Sequence, residues 1–155
     1  MSKNCKATLT SPESLLATWR AGNLEQEFSP IQNPPALILD LKQADKLSST
    51  ESATLFEAIG KTPCSTIGIA DKNCCLSDAV DLICTDLDQA QPLLDKICEN
   101  PIAVMTLCQV LRITENMPLE QALTVESLAF STLQAGEEHR CWSASHTPSP
   151  TEPEP

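Results

Sequence analysis

The sequence predicts an α/β fold: a small parallel or mixed sheet with flanking helices and a helical C-terminal region. Three observations carry this expectation. Short apolar runs rich in branched residues stand at 36–41, 65–70 and 79–84, the length and composition of buried strands. A segment with its own helix start and stop signals lies between the first two, so strand, helix and strand follow at the spacing of a right-handed parallel crossover. From Asp88 onward the chain carries helical patterns separated by proline or glycine.

The elements follow in order. Residues 1–35 read as an N-terminal arm. Within it Ser11 suits an N-cap, Pro12 the first helical position and Gly22 a stop, which predicts a short helix over about Pro12–Ala21. Pro30, Pro34 and Pro35 mark an irregular connection. Ala36–Leu41 is the first expected strand. Thr50–Gly60 is helical, with Ser48 and Glu51 at capping-box spacing. Ser65–Ala70 and Ala79–Cys84 are the second and third strands. Asp88–Glu99 is a helix whose Pro92 belongs in the first turn or kinks it. Asn100 as N-cap and Pro101 at the first position open a helix to about Thr114. Pro118 opens the next, which ends near Gly136 or runs on to Trp142. The domain proper spans 36–142, and residues 143–155 form an acidic, proline-rich tail expected to be disordered.

Composition excludes several function classes. The formal charge is −11 and aromatics make up 3% of the chain. DNA binding draws on Lys and Arg neutralising phosphates, and single-strand binding on aromatic platforms, so no nucleic-acid partner is expected. Anionic membranes are disfavoured by the same charge. No stretch has the ~20 apolar residues of a membrane span, and the first residues lack the apolar run of a secretory signal. A cytoplasmic location is the expectation, and with it eight cysteines held as thiols.

Few residues suggest chemistry. On a helical wheel Leu119, Ala122, Leu123, Ala129, Phe130 and Leu133 share one face, with Glu126 at its centre. A carboxylate there would be desolvated, fitting either a general acid/base or ligand contact or an ion pair with Arg112 or Arg140. His139, Arg140 and Trp142 close the last helix. Arg140 suits the phosphates of a nucleotide or acyl-CoA, or it complements the helix dipole. The cysteines at 5, 64, 74, 75, 84, 98, 108 and 141 form no Cys-x-x-Cys pair, so no metal or cofactor is expected. Cys74, Cys75, Cys141 and His139 are the set that could converge on a metal. The adjacent Cys74 and Cys75 are also open to oxidation. Cys84, Cys98 and Cys108 read as small core residues. The Pro101–Thr114 helix is apolar nearly all round, so it is covered either by the rest of the monomer or by another subunit.

The segment Asn100–Trp142, NPIAVMTLCQVLRITENMPLEQALTVESLAFSTLQAGEEHRCW, resembles the helical C-terminal region of crotonase-family proteins (enoyl-CoA hydratases and isomerases), especially in VESLAFSTLQAGEEHRCW. Upstream, Pro63–Ala70 looks like the family's strand leading to the first oxyanion-hole loop, and Ala79–Ile83 like its later strand. Leu93–Arg112 resembles the family's helix, Asn-Pro, helix passage. The resemblance covers about Ala36–Trp142 and implies a shortened crotonase-like fold, an acyl-CoA setting and assembly through the C-terminal helices. The family's catalytic parts have no counterpart here. Its enolate is stabilised by N–H donors of glycine-containing loops, whereas this chain has four glycines and no Gly-Gly loop. The passage that carries paired catalytic glutamates is also missing.

The resulting expectation is a crotonase-like module lacking hydratase chemistry, acting by association with itself, as a homo-oligomer, or with a crotonase-family acyl-CoA-processing enzyme. The alternative is a small active enoyl-CoA hydratase or isomerase using Glu126. A cysteine-based metal or redox protein is a third class.

Overall fold

The computed structural model describes residues 8–29, 35–71 and 74–146. The fold is α/β, built on a parallel sheet of order β1-β2-β3-β4 from Leu9–Thr10, Ala36–Asp40, Ser65–Ile69 and Leu82–Cys84. The helices are α1 (Pro12–Arg20), α2 (Leu24–Glu27), α3 (Ser49–Gly60), α4 (Leu87–Glu99), α5 (Pro101–Thr114), α6 (Leu119–Gln134) and α7 (Glu137–Ser145). No helix among the described residues is long and apolar enough to cross a membrane.

Strand alternation divides the interior into two cores. Leu37 and Leu39 of β2 pack with Leu15 and Leu16 of α1 and Leu55 and Ile59 of α3. Ala36 and Ile38, with Ile67 and Ile69 of β3, pack on the other side against Ala90, Leu94 and Ile97 of α4. Both faces of the sheet are therefore covered, as the unbroken apolar composition of the central strands requires. Gly68 keeps β3 bare where neighbours crowd in: a Cβ there would lie 2.6 Å from Leu41 Cδ1 and 3.0 Å from Ile83 Cδ1.

Local signals hold well at α1 and α3. The Ser11 hydroxyl accepts from Ser14 N–H at 3.2 Å, Pro12 opens α1, and Gly22 past its end has φ +71°. Ser48 and Glu51 form the capping box of α3. Several expectations need correction. Residues 8–29 are not a separate arm, because β1 joins the sheet and α1 supplies core leucines. The third expected strand is shorter, since Ser77–Ala79 form a 3-10 turn and the strand begins at Leu82. Pro92 sits in the second turn of α4, whose start is capped by Asp86 accepting from Gln89 N–H at 2.8 Å. Of the two ends expected for the helix opened by Pro118, the one near Gly136 is found, and a separate α7 follows through Ser145, inside the expected tail. Pro30, Pro34, Cys5 and the tail from Thr147 lie outside the described residues.

Candidate functional site

Helix α5 meets the sheet region through Val104 and the buried Cys108 and through a set of polar contacts. Arg112 of α5 forms a bidentate pair with Asp81, Nε to Oδ1 at 3.0 Å and Nη2 to Oδ2 at 2.6 Å. Its Nη1 donates to the Thr62 carbonyl at 2.6 Å. Asp81 also accepts from the Thr66 N–H at 2.7 Å and the Thr66 hydroxyl at 2.9 Å. One turn back, Gln109 donates to the carbonyls of Thr62 and Pro63 at 3.3 and 3.2 Å. The Arg112 and Asp81 side chains are 17% and 19% exposed, so this pair works in a partly dry setting where its geometry counts. Arg112 pairs with Asp81 and not with Glu126.

A second polar joint fixes the start of α5. Asn100 makes no side-chain cap bond, contrary to the expectation from its sequence position. Glu138 of α7 takes that role from 35 residues away or more, its carboxylate accepting from Ile102 N–H at 2.9 Å and Ala103 N–H at 2.8 Å. The negative carboxylate and the exposed donors of a helix N-terminus complement each other.

Apolar cover is sparse over these helices. Cys108 is the one buried residue of α5 among those described, and neither α6 nor α7 has any. The half-buried residues of α6 are Ala122, Val125, Ala129 and Leu133, the face turned inward. Leu107, Leu111, Ile113, Leu119, Leu123, Leu128, Phe130 and Trp142 are each 51% to 73% exposed. The described chain therefore does not cover α5, and the reading of full burial within the monomer fails there. Two grooves run along this surface. One, of about 560 Å³, lies between α4, α5 and the outer edge of β4, with Leu82, Leu93, Leu107 and Leu111 in its walls. The other, of about 280 Å³, lies where α5, α6 and α7 meet, with Phe130, Leu133, His139 and Trp142.

Glu126 is exposed on α6 and lines neither groove, so the desolvated carboxylate expected from the wheel is not formed. Leu123 and Phe130, a turn to either side, are exposed with it. Arg140 lies in the first half of α7 and pairs with Glu137 at 2.7 Å in an exposed i, i+3 contact. It neither closes the last turn of a helix nor meets that helix's C-terminal dipole. The bond from Arg140 holds the Glu137 carboxyl below its ordinary range.

The cysteines are scattered. Cys75 lies against Ser52 and the Ala44 carbonyl, Cys74 against Ser77, and Cys141 beside Glu137 on α7. Among the described residues no group of three or more His, Cys, Asp or Glu is placed to hold a metal ion. Burial pushes the Cys64 thiol up to about 12 and the Cys108 thiol to about 11, and raises Cys84 as well. Cys98 packs against the second core and is disulfide-bonded, so the expectation of thiols throughout fails at that position. No family model, curated protein or solved structure matches the chain.

Proposed function

We propose that this chain is a crotonase-like association module without hydratase chemistry of its own, docking through α5–α7 onto a second copy or onto an acyl-CoA-processing enzyme. The observation that carries the association is the set of large apolar side chains left more than half exposed on these helices. Large apolar side chains left exposed in such numbers mark surfaces that contact other proteins. The crotonase reading draws on the residues of 100–142 and is consistent with a parallel sheet followed by a helical C-terminal region. The lack of hydratase chemistry is supported by the position of Glu126, which stands in solvent away from both grooves.

Sedimentation equilibrium at several concentrations, alone and with candidate acyl-CoA enzymes, tests the association. The expected result is a complex that weakens when Leu111 or Leu123 is changed to glutamate while the far-ultraviolet spectrum is kept. A folded monomer that binds no partner and is unaffected by these changes refutes it. Hydration of a short enoyl-CoA at a rate abolished by Glu126→Gln would overturn the non-catalytic part.

A further inference from the structure

We infer that the outward track of α6 and α7 docks a basic amphipathic helix of a partner protein, in preference to a second copy of this chain. This rests on the association reading above and specifies its partner. Leu119, Leu123 and Phe130 fall at i, i+4 and i+11, one stripe of an α-helix. Phe130 and Trp142 share a groove, which carries the stripe onto α7. From Leu119 to Phe130 the track runs about 17 Å, or three turns, long enough to seat the spaced anchors of a docked helix.

The charges of α6 have one sign, Glu120 and Glu126 being its only charged side chains. Glu126, at i+7 from Leu119, sits within the stripe between Leu123 and Phe130, Glu120 flanks it, and Glu115 stands just before α6. Elsewhere on the surface Glu57 and Glu99 each meet a lysine, and on α7 Glu137 meets Arg140. Among the described residues, no ion pair engages Glu115, Glu120 or Glu126. A second copy would bring the same carboxylates to the interface, between chains that each carry −11. Like charges brought together at an interface suppress that pairing. A helix with leucine or phenylalanine on one face and lysine or arginine along its flanks satisfies both the apolar stripe and its acidic border.

The test is fluorescence anisotropy of a labelled leucine–lysine amphipathic peptide titrated with the full-length protein, beside a leucine–glutamate peptide of the same pattern. The lysine peptide should bind and the glutamate peptide should not. Leu123→Ser should weaken binding about tenfold, the effect of losing one anchor side chain. The double change Glu120→Gln/Glu126→Gln should weaken it about fivefold, as two rim charges do. The double change Glu13→Gln/Glu25→Gln removes the same charge from α1 and α2 and should leave affinity within about twofold. Equal loss in that control, or indifference to Leu123→Ser, overturns the proposal because it reveals general attraction to an acidic protein. Sedimentation equilibrium separates the two readings. A dimer that excludes the peptide overturns the basic partner and leaves the association reading standing; a monomer that binds neither peptide nor partner overturns both.

Discussion

Replacing Arg112 with alanine should destabilise the protein by about 2–3 kcal/mol. The guanidinium makes two charge-assisted bonds to Asp81 and one to the Thr62 carbonyl, all at 3.0 Å or less. Charged hydrogen bonds contribute roughly 1.5–3 kcal/mol each net, and breaking a fully buried pair costs roughly 3–5 kcal/mol. The loss falls below the fully buried value because water reaches both side chains, which are 17% and 19% exposed. Asp81 also keeps its two donors from Thr66 after the change. Urea unfolding followed by circular dichroism measures the effect. With m near 2 kcal/mol/M the midpoint should fall by about 1–1.5 M. Arg112→Lys should recover little, since an ammonium cannot reach Asp81 bidentately and Thr62 together. A double-mutant cycle with Asp81→Asn should give a coupling of about 2 kcal/mol. By contrast, Lys61→Ala breaks a pair in which both side chains are more than half exposed, together with a cation–π contact over Trp19, and should cost under about 1 kcal/mol. A loss at Arg112 no larger than that at Lys61, or additivity in the cycle, would refute the clamp.

Three further outcomes follow from the same geometry. Alkylation followed by mass spectrometry at pH 8 should label Cys75 and Cys141 fast and Cys64, Cys84 and Cys108 only on unfolding, because burial raises those three thiols and shields them; quick labelling of Cys64 in folded protein contradicts this. Gly68→Val should cost about 2–3 kcal/mol by overpacking against Leu41, Ile83 and Val80, and a midpoint equal to the parent's contradicts the close approach. The Ser48 bonds lower the Glu51 carboxyl from 4.5, and the Gln89 N–H lowers Asp86 from 3.8. Their stabilisation is therefore present above those values and disappears as pH falls through the folded ones. Glu51→Gln should be less stable than the parent at pH 7, and the difference should shrink as pH falls below 4.5; a difference that stays constant on acidification rules out the linkage.

What was legible in the sequence was local. Ser11, Pro12 and Gly22 bound α1, Ser48 and Glu51 bound α3, and Pro101 opens α5, because caps and prolines act within a turn of themselves. β1 escaped notice because two residues cannot show an alternation, and α2 is barely one turn long. The third strand starts late because Asp81 is drawn into bonds with Thr66 and Arg112, the latter 31 residues away. Glu138 replaces Asn100 at the start of α5 from across the fold, which no local pattern encodes. The wheel of α6 misplaced Glu126 for a different reason. It placed Leu119, Ala122, Leu123, Ala129, Phe130 and Leu133 on one inward face; Ala122, Ala129 and Leu133 are half-buried, with Val125, whereas Leu119, Leu123 and Phe130 are exposed. A helix with apolar residues on more than one side defeats a single moment. That same excess, already visible in the sequence of α5, was the sign of the uncovered surface.

The exposure of α6 has a thermodynamic consequence. An isolated helix of this length is marginal in water, and helices in proteins draw most of their stability from a packed face. The inward face of α6 is two alanines, a valine and a leucine, none fully buried. Three of its hydroxyls, Thr124, Ser131 and Thr132, bond back to carbonyls of the preceding turn, a pattern that lends little to helix stability. The first core, around Leu37, Leu39 and Leu55, is by contrast closed on all sides. Stability is therefore unevenly distributed: the sheet with α1, α3 and α4 forms the firm part, and α6 with α7 the part that opens at least cost. A partner seated on the outward track, as proposed, would supply the missing apolar contacts to that weak part. Partner binding and the order of α6 are then linked, and hydrogen exchange in α6 should slow on complex formation more than in α1 or α3. Uniform slowing across the chain would contradict that linkage.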